Sequence, residues 1–185
     1  MENVNTMTTG TGAVTGVFNN TKDAENAYNA LINRGYSSND ISVLMSNATQ
    51  ESFRTSDHES ELGNKAMEKA GIGSAIGGTA GAILGAIAAI GTVVALPGLG
   101  LVVAGPLLAA LTGAGAGGLT GGIIGALVGS GIPKERAEYY ESSIKEGGIV
   151  IGVTPRTQEE REVIADELES HNGHEIHGKA VPTTY

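Results

Sequence analysis

The chain has no cysteine and no tryptophan, and only 4% of its residues are aromatic. Without cysteine there is no disulfide and no thiolate chemistry, although this does not identify a compartment. Basic residues are also few: 11 Lys and Arg stand against 20 Asp and Glu, for a net charge of −9. Nucleic-acid binding rests on Lys and Arg meeting phosphate, so no nucleic acid is expected as a partner. There is likewise no basic patch for anionic lipid headgroups. The opening Met1-Glu-Asn-Val4 lacks the basic start and apolar core of a signal peptide, and the polar part is expected in the cytoplasm. The largest absence is local. From Ala70 to Pro133, 64 residues pass without an Asp, Glu, Lys, Arg, His, Asn or Gln.

That stretch holds 19 of the 29 glycines. Nine of them form two ladders with a four-residue step: Gly73, Gly77, Gly81 and Gly85, then Gly113, Gly117, Gly121, Gly125 and Gly129. On a helix that step falls nearly on one line, leaving a smooth stripe where a second helix approaches closely. Interleaved Ile76, Ile83, Leu84, Ile123, Ile124 and Leu127 argue against a disordered low-complexity segment. Leu96-Pro-Gly-Leu-Gly100 breaks the stretch with turn chemistry. The spacing therefore predicts a glycine-zipper helical hairpin over 59–132, its two helices each about 27 residues long and able to span a bilayer core. Pro106 is expected to begin or kink the second helix. Gly113-Ala-Gly-Ala-Gly-Gly118 fits a dinucleotide fingerprint formally, but it lacks the preceding strand and the acid about 20 residues later; the ladder accounts for the same glycines, and no cofactor is expected.

Around the hairpin the polar sequence repeats a pattern. Residues 1–12 are a Thr/Asn/Gly-rich arm. In 13–50, the Val14–Phe18 strand places Val14 and Phe18 on one face and Val17 on the other. Asn19-Asn-Thr21 offers a helix cap. Ala24, Ala27, Tyr28, Leu31 and Ile32 form one helix side, Gly35 ends the helix, and Ile41–Met45 is a second strand. Residues 47–64 read as a loop leading into a helix from about Glu59. In 133–178, Pro133 starts a helix at its N1 position with Ala137, Tyr140, Ser143 and Ile144 on one face. Ile149–Val153 is a strand. Thr157 and Glu160 have capping-box spacing, ahead of a helix with Val163, Ile164 and Leu168 inward. His174–His177 is a last strand, and 179–185 a tail. Two strand–helix–strand halves make an α+β, ferredoxin-like split βαβ domain with helices on one face, into which the hairpin and one extra helix are inserted.

Val17-Phe-Asn-Asn-Thr-Lys-Asp-Ala-Glu-Asn-Ala27 followed by Leu31-Ile-Asn-Arg-Gly-Tyr-Ser-Ser-Asn-Asp-Ile-Ser-Val43 resembles the bacterial heat-induced or general stress protein (YflT-like) domain. The glycine-rich centre and the closing Gly131-Ile-Pro-Lys-Glu-Arg-Ala-Glu-Tyr-Tyr140 are similar to bacterial general stress proteins as well. The resemblance implies a stress association and carries no catalytic residues.

The remaining chemistry-bearing patterns are weaker. His171, His174 and His177 are spaced H-x-x-H-x-x-H beside Glu169 and Glu175, residue types that hold transition metals. The run crosses a helix end, a turn and a strand, so solvated histidines are expected and no metal. The acids of 159–169 read as the wet side of an amphipathic helix. No nucleophile–base–orienter set appears, and the chain is expected not to be an enzyme. A polar part of about 120 residues does not cover two long helices that are apolar all round. Lys65, Lys69, Lys134 and Arg136 flank the hairpin as positive-inside residues do. The first expectation is a homo-oligomer assembled through the hairpin in or on the inner-membrane lipid bilayer. The alternatives are a soluble ring, filament or particle with hairpins at its centre, a monomer that tucks the hairpin on its own sheet, and a ligand- or metal-binding regulatory domain.

Overall fold

Asn20 opens the first helix, its side-chain oxygen accepting from the Asp23 N–H at 2.8 Å. That satisfies one of the N–H groups a helix start leaves without a partner. The computed structural model describes residues 12–58, 83, 94–96, 100–108, 122–129 and 132–178. Six strands and five complete helices are described: β1 (Val14–Phe18), α1 (Thr21–Asn33), β2 (Ile41–Ser46), α2 (Asn47–His58), β3 (Val94–Leu96), β4 (Leu101–Ala104), α3 (Gly122–Gly129), α4 (Lys134–Lys145), β5 (Ile149–Val153), α5 (Gln158–Ser170) and β6 (His174–His177). Helix α1 closes on Gly35 at φ +86°, with the Tyr36 N–H reaching back to the Leu31 carbonyl, the left-handed end its sequence predicts.

The strands form one antiparallel sheet in the order β3-β4-β2-β5-β1-β6, so the fold is mixed α+β. Alternation of side chains along each strand feeds two cores. Val14, Phe18, Ile41, Val43, Met45, Ile149, Ile151 and Val153 meet Ala24, Ala27, Tyr28 and Leu31 of α1 and Ile164, Ala165 and Leu168 of α5. On the other face Val17, Leu44, Val103 and Val150 meet Ile123 and Leu127 of α3 and Ala137, Tyr140 and Ile144 of α4. The opposite orientation of Val17 from Val14 and Phe18 is as the sequence predicts.

Four expectations are corrected. Helices cover both faces of the sheet rather than one, because α3 and α4 fill the second. Val94–Leu96 and Leu101–Ala104 are strands, β3 and β4, where the end of one helix and the start of the other were expected on either side of the break. Leu101–Ala104 pairs with β2 on one side and β3 on the other, and all four of its residues are buried. An all-apolar run satisfies a strand buried on both faces as well as it does a helix. Residues 47–58 are helical rather than a loop, the Ser46 hydroxyl accepting from the Thr49 N–H at 3.0 Å as a cap. Finally, Val163 is exposed, and Arg161, Ile164, Ala165 and Leu168 form the buried side of α5. Smaller differences are that Pro133 caps α4 instead of occupying its first turn. Pro106 does open a helical stretch, described over 106–108.

Among the described residues no helix is long and apolar enough to cross a membrane. The predicted first helix of the hairpin lies outside the described residues except for Val94–Leu96, which form β3, and Ile83, which is helical and buried in the α1–α5 core with Val102 and Ala104. The arm at 1–11 and the tail at 179–185 are likewise outside them.

Candidate functional site

Helix α3 carries the described end of the second glycine ladder. Its eight residues include no polar side chain. Ile123 and Leu127, four apart, are buried against the sheet. Gly125 and Gly129, also four apart, fall about 200° round the helix from that pair at ~100° per residue. Gly125 is half-buried, Gly129 exposed, and Val128 beside it is 42% exposed. The ladder thus faces away from the sheet on α3. Gly73, Gly77, Gly81, Gly85, Gly113, Gly117 and Gly121 lie outside the described residues, as does the fingerprint-like run at 113–118. Ile83, set between Gly81 and Gly85, belongs to the core on the opposite face of the sheet from α3.

The histidine run does not converge. His171 sits 3.4 Å from the Glu167 carboxylate, which also binds Arg34, the residue that follows α1. His174 meets the Tyr139 ring edge-on across the sheet edge. His177 is half-buried in β6, and its pKa is held below the usual value first by burial and then by Arg136 and Arg161. No group of three metal-ligating side chains forms among the described residues. The acids Glu159, Glu162, Asp166 and Glu169 lie on the exposed side of α5. Thr157 caps the Glu160 N–H as its spacing predicts. The Glu160 carboxylate, however, accepts from the Tyr36 hydroxyl at 2.6 Å and the Arg156 N–H at 2.9 Å. Those bonds, the Tyr36 one foremost, lower its pKa. Arg156 in turn lies 4.2 Å above the Tyr36 ring and donates to the Gly35 carbonyl at the end of α1.

Several buried polar side chains escape sequence reasoning because their partners lie far away along the chain. Tyr140 of α4 bonds Thr15 of β1 at 2.7 Å and donates to the Glu175 carbonyl at 3.2 Å. Burial, ahead of every other cause, pushes its pKa up to about 12. Ser42 accepts from the Leu107 N–H, and Arg161 donates to the carbonyls of Gly12 and Gly178. A shallow polar cleft of about 320 Å³ opens between the starts of α1 and α2 and the end of α4, lined by Asn20, Thr21, Ser46, Thr49, Lys145 and Gly147 among others. Asn20 there bonds Asp23, Thr49 bonds Ser46 and the Gly147 carbonyl, and Lys145 pairs with Glu141.

Comparison with known proteins finds no matching family model, no matching characterised protein and no matching solved structure.

Proposed function

We propose that this chain is a non-enzymatic bacterial stress-associated protein that assembles with further copies of itself through its glycine-laddered apolar segment. The observation that carries the reading is the outward side of α3. It is uncharged, made of glycine and valine, and turned away from the core that its own Ile123 and Leu127 complete. A second helix of the same kind fits such a side at close range, because nothing projects from the glycines. The position of Ile83 favours a partner from another copy. Ile83 packs in the α1–α5 core, and the sheet lies between that core and α3.

The frame that holds this segment is ferredoxin-like in our reading. The strand order β2-β5-β1-β6, all neighbours antiparallel, with α1 and α5 on one face, fits a split βαβ domain. The hairpin β3–β4 with α3 and α4 is then the insertion, and part of it is spent on covering the second face. The absence of catalysis is supported by the fates of Thr15, Ser42, Thr49 and Arg161, each engaged in bonds that fix backbone or neighbouring side chains. The polar frame belongs in the cytoplasm. Attachment of the assembly to the inner membrane is the second reading, favoured by the charge-free span from Ala70 to Pro133 with Lys65, Lys69, Lys134 and Arg136 at its ends.

The test is to express the full chain, wash the membranes with carbonate, and size the purified protein with and without detergent. A particle larger than one chain in detergent-free buffer is expected. A pellet that resists carbonate selects the membrane reading. A lone monomer in detergent-free buffer overturns the proposal.

A further inference from the structure

The corner between α5 and β6 is built on Asn172-Gly173. Helix α5 closes there in a Schellman arrangement. The Asn172 N–H returns to the Glu169 carbonyl at 3.0 Å, and the Gly173 N–H to the Leu168 carbonyl at 2.8 Å. Asn172 holds φ +62°, the left-handed position that glycine usually takes and that asparagine tolerates better than most residues. Gly173 is required for a different reason. A Cβ there would stand 2.5 Å from the Leu168 carbonyl oxygen and 3.0 Å from the Phe18 ring. The geometry of the corner thus calls for Asn followed by Gly.

That pair is also the chemically fragile one. Asparagine is a thermolabile residue, and a following glycine, having no Cβ, lets its backbone nitrogen swing toward the asparagine side chain. Asn172 is the one asparagine in the chain that precedes a glycine. It is exposed to water. In the folded corner, however, the Gly173 nitrogen is already bonded to the Leu168 carbonyl, and the residue is wedged between that carbonyl and Phe18 of the α1–α5 core.

We propose that Asn172 is a site of spontaneous deamidation that the folded corner holds shut and that local opening exposes. The Gly173 nitrogen attacks the Asn172 Cγ and forms the N–C bond of a cyclic succinimide. The bond from Cγ to the side-chain nitrogen breaks, and that nitrogen leaves as ammonia with the proton given up by the Gly173 nitrogen. Water then adds to either ring carbonyl, giving aspartate or an isoaspartate whose main chain runs through the former side chain. No step starts until Gly173 gives up its bond to Leu168, so the rate follows the opening of the corner. Isoaspartate makes the change one-way. The main chain is longer between the two N–H groups that close α5, so their bonds to Glu169 and Leu168 no longer form together.

Ageing the full chain in warm, mildly alkaline buffer, with and without urea, tests this, the peptide containing Asn172 being read by mass spectrometry and chromatography. In urea Asn172 should convert ahead of every other asparagine. In the folded chain its conversion should be slower by roughly tenfold or more, since reaction waits on opening. Hydrogen exchange on the isoaspartate fraction should show lost protection at the Gly173 amide, with α1 and β5 unchanged. Asn172→Gly suits the left-handed position and has no side-chain amide, so it should age without that loss. Equal conversion with and without urea, no conversion of Asn172 in urea, or an isoaspartate chain that keeps Gly173 protected overturns the proposal. The rate comparison uses the unaltered chain and decides even if Asn172→Gly fails to fold.

Discussion

Tyr28 and Tyr140 are both buried phenols, and burial raises the pKa of each. What separates them is partnership. The Tyr140 hydroxyl joins Thr15 to the Glu175 carbonyl. The Tyr28 hydroxyl is buried without a well-formed hydrogen bond, although Ser38 lies close enough to oppose slightly the rise that burial causes. Removing a bonded hydroxyl strands its partners, and fully buried Thr15 has no water to replace it. Tyr140→Phe should therefore cost about 1–3 kcal/mol. Tyr28→Phe removes a polar atom that burial already penalises, and should be neutral or stabilising by up to about 1 kcal/mol. Urea unfolding of the two variants checks the contrast. Equal losses would mean that the Thr15–Tyr140–Glu175 chain has no energetic weight. None of this was legible in the sequence, since Thr15 and Tyr140 lie 125 positions apart and nothing in either local pattern points to the other.

Elements were legible wherever two signals agreed. Helix α1 has a capping Asn20, an apolar side of i, i+3, i+4 spacing and a closing Gly35, and each is found as read. β5 was readable from its β-branched run. The apolar stretch offered one signal, the absence of charge, which helix and buried strand share. The discriminating hint was Val102-Val103, β-branched and strand-favouring. The strand geometry has a consequence that a helix with one buried side would not share. Val102 points into the α1–α5 core and its neighbour Val103 into the α3–α4 core. Truncating either to Ala should destabilise the protein by about 1–3 kcal/mol, the loss expected for emptying part of a packed site. The two losses should be comparable, because each residue is buried, at 1% and 0% exposure. Thermal or urea unfolding in which only one of the pair responds would contradict the β4 assignment.

For the molecule as a whole, the sheet decides what its apolar segment is free to do. By giving β4, Leu107, Leu108 and the inner side of α3 to its own cores, the chain shelters more of that segment than its polar fraction suggested. What remains outward among the described residues is the side of α3 bearing Gly125, Val128 and Gly129. A matched control is available. Val128 on α3 and Val163 on α5 are 42% and 43% exposed, so aspartate at either leaves the cores intact. Their settings differ: α3 has no polar side chain, whereas Val163 lies between Glu162 and the exposed Asp166 side of an acidic helix. If copies meet through the ladder, Val128→Asp puts a desolvated carboxylate into a close helix contact, where an unpaired buried charge costs several kcal/mol. Val163→Asp merely adds to a wet, acidic surface and should change stability by no more than about 0.5 kcal/mol. Sedimentation should then show Val128→Asp reduced to smaller species at unchanged circular dichroism, with Val163→Asp assembling like the parent. Two variants that sediment alike would remove α3 from the interface, because equal exposure leaves location as the sole difference between them.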